Sequence, residues 1–177
     1  DPGRKELKSY ELNNRTRAID WAPNGVWVGA LDGLFFCDTL SGEVEKILLP
    51  KLLESRIECI RSANSSTFFG TMGSGLVMKN SDTILQISKN EGLASNLVHE
   101  LHLENDSTIW VATNNGLNLV LLKNGAVQIR TYNMKDGLQD NYISDVYVKD
   151  EKVWIGTKSG LFYMEKPNFE ASRLPID

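Results

Sequence analysis

Apolar and polar positions alternate along this chain in short runs, and no stretch holds the three-and-four spacing of an amphipathic helix over a helix's length. The runs are clearest toward the C-terminal end. There YISDVYV (142–148), KVWIGT (152–157), GLFYME (160–165) and a weaker FEASRL (169–174) read as four strands separated by polar breaks. The two middle runs share a segment, WIGTKSGL (154–161), that recurs as WVATNNGL (110–117), WVGALDGL (27–34) and, one residue longer, FFGTMGSGL (68–76). Between the leading aromatics the steps are 41 residues (Trp27 to Phe68), 42 (Phe68 to Trp110) and 44 (Trp110 to Trp154). A period near forty with strand content predicts an all-β fold, a β-propeller of four-stranded antiparallel blades.

The turn residues agree with that division. Asp32-Gly33, Ser74-Gly75, Asn115-Gly116 and Ser159-Gly160 fall between second and third strands, where a tight hairpin needs positive φ; Ser41-Gly42 and Asn124-Gly125 fall between third and fourth. The repeated Trp or Phe offers an apolar plate to a neighbouring blade. Gly29, Gly70, Ala112 and Gly156, two residues on and so on the same strand face, leave room beside it. Blades are expected near 15–50, 56–90, 97–135 and 142–177. An additional run, KELKSYEL (5–12), makes 1–14 the outer strand of a preceding blade, so the ring either closes by mixing strands from its two ends or continues upstream. Four is the lowest blade number usual in a closed ring, and a partial arc of a larger ring is the expected architecture.

The connections into the third and fourth units also repeat, as NEGLASNLVHEL (90–101) and KDGLQDNYISDV (135–146). Together these motifs resemble the two-component regulator propeller repeats, whose pattern is approximately G-L-x-S-N-x-V followed by L-W-[IV]-G-T-x-x-G-L. Gly92, Leu93, Ser95, Asn96 and Val98 match its first half, as do Gly137, Leu138, Asn141 and Ile143, and 110–117 and 154–161 match its second. The match is looser before residue 90, where Phe68 replaces Trp and Gly73-Ser74 lengthens the hairpin. The resemblance implies a seven-bladed parent ring and the periplasmic sensor part of a bacterial hybrid two-component histidine kinase acting in a phosphorelay, many of which respond to oligosaccharides. A parent protein anchored in the inner membrane follows from the same resemblance. No kinase or receiver motif lies in this chain, so the segment itself is expected to be non-catalytic.

Charge and composition narrow the alternatives. A net charge of −4 with scattered basic residues argues against nucleic acid. No run approaches 18 apolar residues, so no membrane contact by this segment is expected. The numbering starts at Asp1 without a signal-peptide-like core, and a piece of a longer, exported protein is the expectation. Cys37 and Cys59 allow one disulfide or none. The HELH run (99–102) lacks a second histidine four residues after the first, and in a regular strand His99 and His102 point to opposite faces, so no metal site is expected. Asp32, Asp136, Asp140 and Asp145 read as turn formers rather than calcium ligands. No cofactor motif and no catalytic residue is identified.

Function is expected where the repeats differ and on the loops that open toward one face. The candidate ligand-binding residues there are Asp32, Asn114, Asn115, Lys158, Ser95, Asn96, Asp140 and Asn141, a set of amides, carboxylates and one lysine suited to a hydroxyl-rich ligand such as an oligosaccharide. Two other functions stay open: a generic protein-interaction propeller without a small-molecule site, and an extracellular propeller enzyme such as a lyase. The cut edges of terminal blades are expected to self-associate.

Overall fold

Fifteen strands form among residues 9–12, 14–49 and 55–167, the residues described by the computed structural model. The first sheet comprises β1 (Thr16–Ala22), β2 (Gly25–Ala30), β3 (Gly33–Asp38) and β4 (Val44–Ile47). The second comprises β5 (Ile57–Ser62), β6 (Thr67–Thr71), β7 (Leu76–Lys79) and β8 (Ile84–Ile87). The third comprises β9 (Val98–Asn105), β10 (Thr108–Thr113), β11 (Gly116–Lys123) and β12 (Ala126–Tyr132); the fourth comprises β13 (Ile143–Lys149), β14 (Lys152–Thr157) and β15 (Gly160–Glu165). Every sheet is an antiparallel meander in chain order. The run at 169–174 and the first half of the run at 5–12 lie outside the described residues; 9–12 carry no strand, and Tyr10 rests beside Gly42 at the outer edge of the first blade.

Two local devices set the blade geometry. The hairpin between β10 and β11 needs its glycine: Gly116 sits at φ 128°, and a Cβ there would lie 2.8 Å from the Tyr132 carbonyl. The Gly-Leu connections each begin with a single 3-10 turn, Lys89–Glu91 and Met134–Asp136, closed by Gly92 and Gly137 at positive φ. Asn96 Oδ1 accepts from the Lys89 amide at 2.8 Å, and Asn141 Oδ1 accepts from the Met134 amide at 2.9 Å, so the motif asparagine ties the loop back on itself. Leu93 is buried beneath the first of these loops, and Leu138 packs against the core beneath the second.

Three apolar seams join successive blades. Trp27, Leu34, Ile57, Ile60 and Phe69 fill the first; Phe68, Leu76, Val98, Leu101 and Ile109 fill the second; Trp110, Leu117, Ile143, Val146 and Ile155 fill the third. At each seam the repeated aromatic faces the next blade. Gly29 and Gly70 form notches beside it, where an added Cβ would come within 2.7 Å of Ile57 and Val98 respectively. Each buried ring removes roughly 150–250 Å² from water, at about 25 cal/mol per Å².

The arc is open. Adjacent sheets touch through their first strands, β1 with β5, β5 with β9 and β9 with β13, and no contact of comparable extent joins the fourth sheet to the first among the described residues. The two ends show it in burial: Trp154 is 36% exposed and Leu161 68%, while Ile19 and Trp21 of β1 are 68% and 64% exposed. The repeated aromatic, expected to meet a neighbouring blade, therefore does not do so at Trp154, which no further blade covers among the described residues. Among the described residues the fold is a partial β-propeller arc, with four strands in three blades and three in the last.

A candidate recognition rim built from strand bulges

The first strand of every blade contains, near its start, a residue that its partner strand skips. Thr16 pairs with Ala30 and Ala18 with Gly29, leaving out Arg17; Ile57 and Cys59 pair with Thr71 and Gly70, leaving out Glu58. Val98 and Glu100 pair with Thr113 and Ala112 around His99, and Ile143 and Asp145 pair with Thr157 and Gly156 around Ser144. These are β-bulges, which free a side chain from the ladder and re-aim it. Because β1, β5, β9 and β13 contact one another, the freed residues Arg17, Glu58, His99 and Ser144 lie along the concave side of the arc.

Their chemistry differs from blade to blade. Arg17 pairs with Glu58 across the first seam, and Arg56 Nη2 adds a contact to Glu58 at 2.5 Å. Burial, which would raise the Glu58 carboxyl, is outweighed by the two guanidiniums, so its pKa lies below the ordinary value. His99 lies across the third seam with its ring 4.6 Å from that of Tyr142, and the Lys158 ammonium sits 4.0 Å from the centre of the same tyrosine ring. His99 Nε2 is buried without a hydrogen-bond partner, and so is Asn114 Oδ1. Burial lowers the His99 pKa, which keeps the ring neutral near pH 7. A recurrent backbone bond fixes the rim: Leu31 N donates to Arg15 O, Met72 N to Arg56 O and Asn114 N to Leu97 O. In the fourth blade the equivalent positions are Lys158 and Tyr142, flanking the Ile143–Thr157 pair.

Most of the residues proposed from sequence hold loops together. Ser95 Oγ accepts from the Leu97 amide, Asp140 Oδ1 from the Tyr142 amide, and Asn115 Nδ2 donates to Ala94 O at 3.3 Å. Asn96 and Asn141 close the 3-10 turns, and Asp32 stands apart on the first blade, paired with Lys46 at 3.0 Å. Of the eight, Asn114 and Lys158 fall on the concave rim.

Arg56, Glu58, His99, Tyr142 and Ser144 were not among the sequence candidates, although a signal for them exists. The apolar spacing Ile57/Ile60, Val98/Leu101 and Ile143/Val146 is three rather than two, which marks an extra residue inside a strand. The same bulge corrects the reading of the two histidines. It resets the alternation, so that His99 leans on Tyr142 and His102 on Tyr147 of the same neighbouring blade, rather than pointing apart. Among the described residues no group of three or more His, Cys, Asp or Glu is placed to hold a metal ion, and Cys37 and Cys59 are buried and free. A second concavity of about 560 Å³ opens on the opposite face, lined by Asp20, Trp21, Trp27, Asn64, Lys79 and Asn80, and contains no unpartnered buried polar atom among the described residues.

An open arc of antiparallel four-stranded blades is the architecture of a partial β-propeller. The chain superimposes on the extracellular domain of the putative hybrid two component system BT3049 from B. thetaiotaomicron with a TM-score of 0.68, at 17% identity, over 86% of this chain and 23% of that one. It superimposes on the computationally designed Ika4 protein with a TM-score of 0.66, at 16% identity, over 92% of this chain and 98% of that one. In sequence it is 29% identical over 126 residues to histidine kinase P4 of Formosa agariphila, an alignment covering 64% of this chain and 9% of that protein. The chain thus spans about a tenth of the length of this curated relative. No protein-family model matches it. The resemblance to two-component regulator propellers, first drawn from the motifs, is met both in a similar histidine kinase sequence and in the fold of a two-component extracellular domain. No helix among the described residues is long and apolar enough to cross a membrane.

Proposed function

We propose that this chain is a non-catalytic recognition segment of the extracytoplasmic, periplasmic sensor region of a hybrid two-component histidine kinase, and that its concave rim binds an oligosaccharide. The observation that carries the reading is the His99–Tyr142–Lys158 stack. A neutral imidazole holds a buried, unpartnered nitrogen against an aromatic ring capped by a cation. Asn114 adds a second unsatisfied polar atom. Buried polar groups are rarely left unpaired, so two of them on one rim suit a ligand rich in hydroxyl donors and acceptors, with the tyrosine ring as an apolar face for a sugar ring. Similarity to a histidine kinase and to the fold of two-component extracellular domains supports the sensor assignment.

Calorimetric titration with a panel of neutral and acidic oligosaccharides tests this. The expected result is saturable binding by at least one glycan that Tyr142→Ala and His99→Ala each weaken at least tenfold while Asp32→Ala leaves it unchanged. Binding that survives both rim substitutions, or no binding by any glycan class, overturns the proposal.

A further inference from the structure

The two ends of the arc carry the two halves of one interface. At every internal seam the plate side consists of the repeated aromatic, the small residue two positions on and the leucine paired with it: Trp27, Gly29 and Leu34; Phe68, Gly70 and Leu76; Trp110, Ala112 and Leu117. The opposing side is the bulged strand of the next blade, where a β-branched residue enters the notch and an apolar residue three positions on lies beside it: Ile57 with Ile60, Val98 with Leu101, Ile143 with Val146. Of these three pairs, no member exceeds 3% exposure.

The fourth blade ends in a complete plate that nothing covers among the described residues. Trp154, Gly156 and Leu161 hold the same register, yet Leu161 is 68% exposed where Leu34, Leu76 and Leu117 are 1% or less. No neighbouring blade presses on Gly156: the atoms nearest to a Cβ there belong to Ser144 and Asp145 of its own blade, at 3.2 Å or more. Tyr147 and Tyr163 extend this apolar face. The first blade begins with the missing counterpart. Thr16 occupies the position of Ile57, Val98 and Ile143 and keeps the β-branch, and Ile19 occupies that of Ile60, Leu101 and Val146. Thr16 and Ile19 are exposed, as is Trp21 beyond them.

We propose that this surface is a head-to-tail docking site for a second copy of the chain, in which Thr16 enters the partner's Gly156 notch and Ile19 and Trp21 cover the partner's Trp154, Leu161 and Tyr147. The contact is heterologous, since it joins two different faces, and the repeat supplies its register without a new surface. Self-association follows from the same packing that builds the arc rather than from any ligand.

Analytical ultracentrifugation of the wild-type chain and two double variants tests the proposal. Ile19→Glu/Trp21→Glu removes the entering side, and Trp154→Glu/Leu161→Glu removes the plate; the substituted side chains are exposed, and circular dichroism checks that both variants stay folded. The wild type is expected to sediment above the mass of one 19.8 kDa chain at tens of micromolar, and each variant alone at one chain. An equimolar mixture of the two variants is expected to form a one-to-one complex, because each retains the half the other lacks. A wild type that stays monomeric, as it would if a further blade of a longer polypeptide were the natural cover, overturns the proposal. So does persistence of the assembly in the Ile19→Glu/Trp21→Glu variant, which signals plate-to-plate pairing, or failure of the two variants to combine.

Discussion

Trp110 and Trp154 stand in nearly the same sentence of sequence, WVAT and WIGT, and meet opposite fates. Trp110 is fully buried, its Nε1 donating to Glu104 Oε1 at 2.7 Å, with Leu117 and Leu119 sealed beside it. Trp154 is 36% exposed, and Tyr163, which takes the place of Leu119, is 56% exposed. Strand, register and turn are alike in the two blades. The difference is the following blade: the motif specifies half of an interface, and burial arrives only with the half that comes next in the chain.

Substitution at the two tryptophans separates the halves most widely. Trp110→Ala is expected to cost about 3–5 kcal/mol in urea unfolding of the dilute chain, below the concentrations at which copies associate, the range for deleting a buried aromatic, and Trp154→Ala under about 1 kcal/mol. Equal losses at that dilution would mean that Trp154 is covered within the single chain. The notches give the next contrast. Gly70→Val drives a side chain into Cys59 Sγ and Val98 and should cost about 1–3 kcal/mol by the same measurement, whereas Gly156→Val, with no other blade in reach, should fall near neutral.

A smaller effect compares the two tied loops. Asn96→Ala and Asn141→Ala each remove one loop-closing hydrogen bond and should each cost about 1 kcal/mol, with faster amide exchange confined to residues 89–97 or 134–142. The smallest concerns pH. Burial lowers the pKa of both His99 and His102 below 6.5, so the unfolded chain takes up protons that the fold resists. Their contribution is fully present above pH 6.5 and is lost as pH falls from there through the folded values. His99→Gln should flatten that part of the thermal stability profile.

Periodicity made the architecture readable. A period of 41 to 44 residues, Gly-containing hairpins and the aromatic-to-glycine spacing are each local, and each is repeated often enough for a single sequence to serve as its own alignment. The rim was legible only in part, since amides and carboxylates near turns look alike whether they bind a ligand or cap a loop. Asn96 and Asn141 belong to the loop and Asn114 to the rim, a distinction set by which backbone amide lies within 3 Å. His99 was hidden for a different reason. Alternation assigns faces only in an unbroken ladder, and the omitted pairing at Val98 and Glu100 breaks it.

That omitted pairing gives every blade one position exempt from the demands of the sheet. A mutation at Arg17, Glu58, His99 or Ser144 alters no ladder partner, so the lining of the concavity can be rewritten one module at a time while the scaffold stays intact. Tandem copying then yields a combinatorial alphabet, one letter per repeat, from which new specificities can evolve without renegotiating the fold.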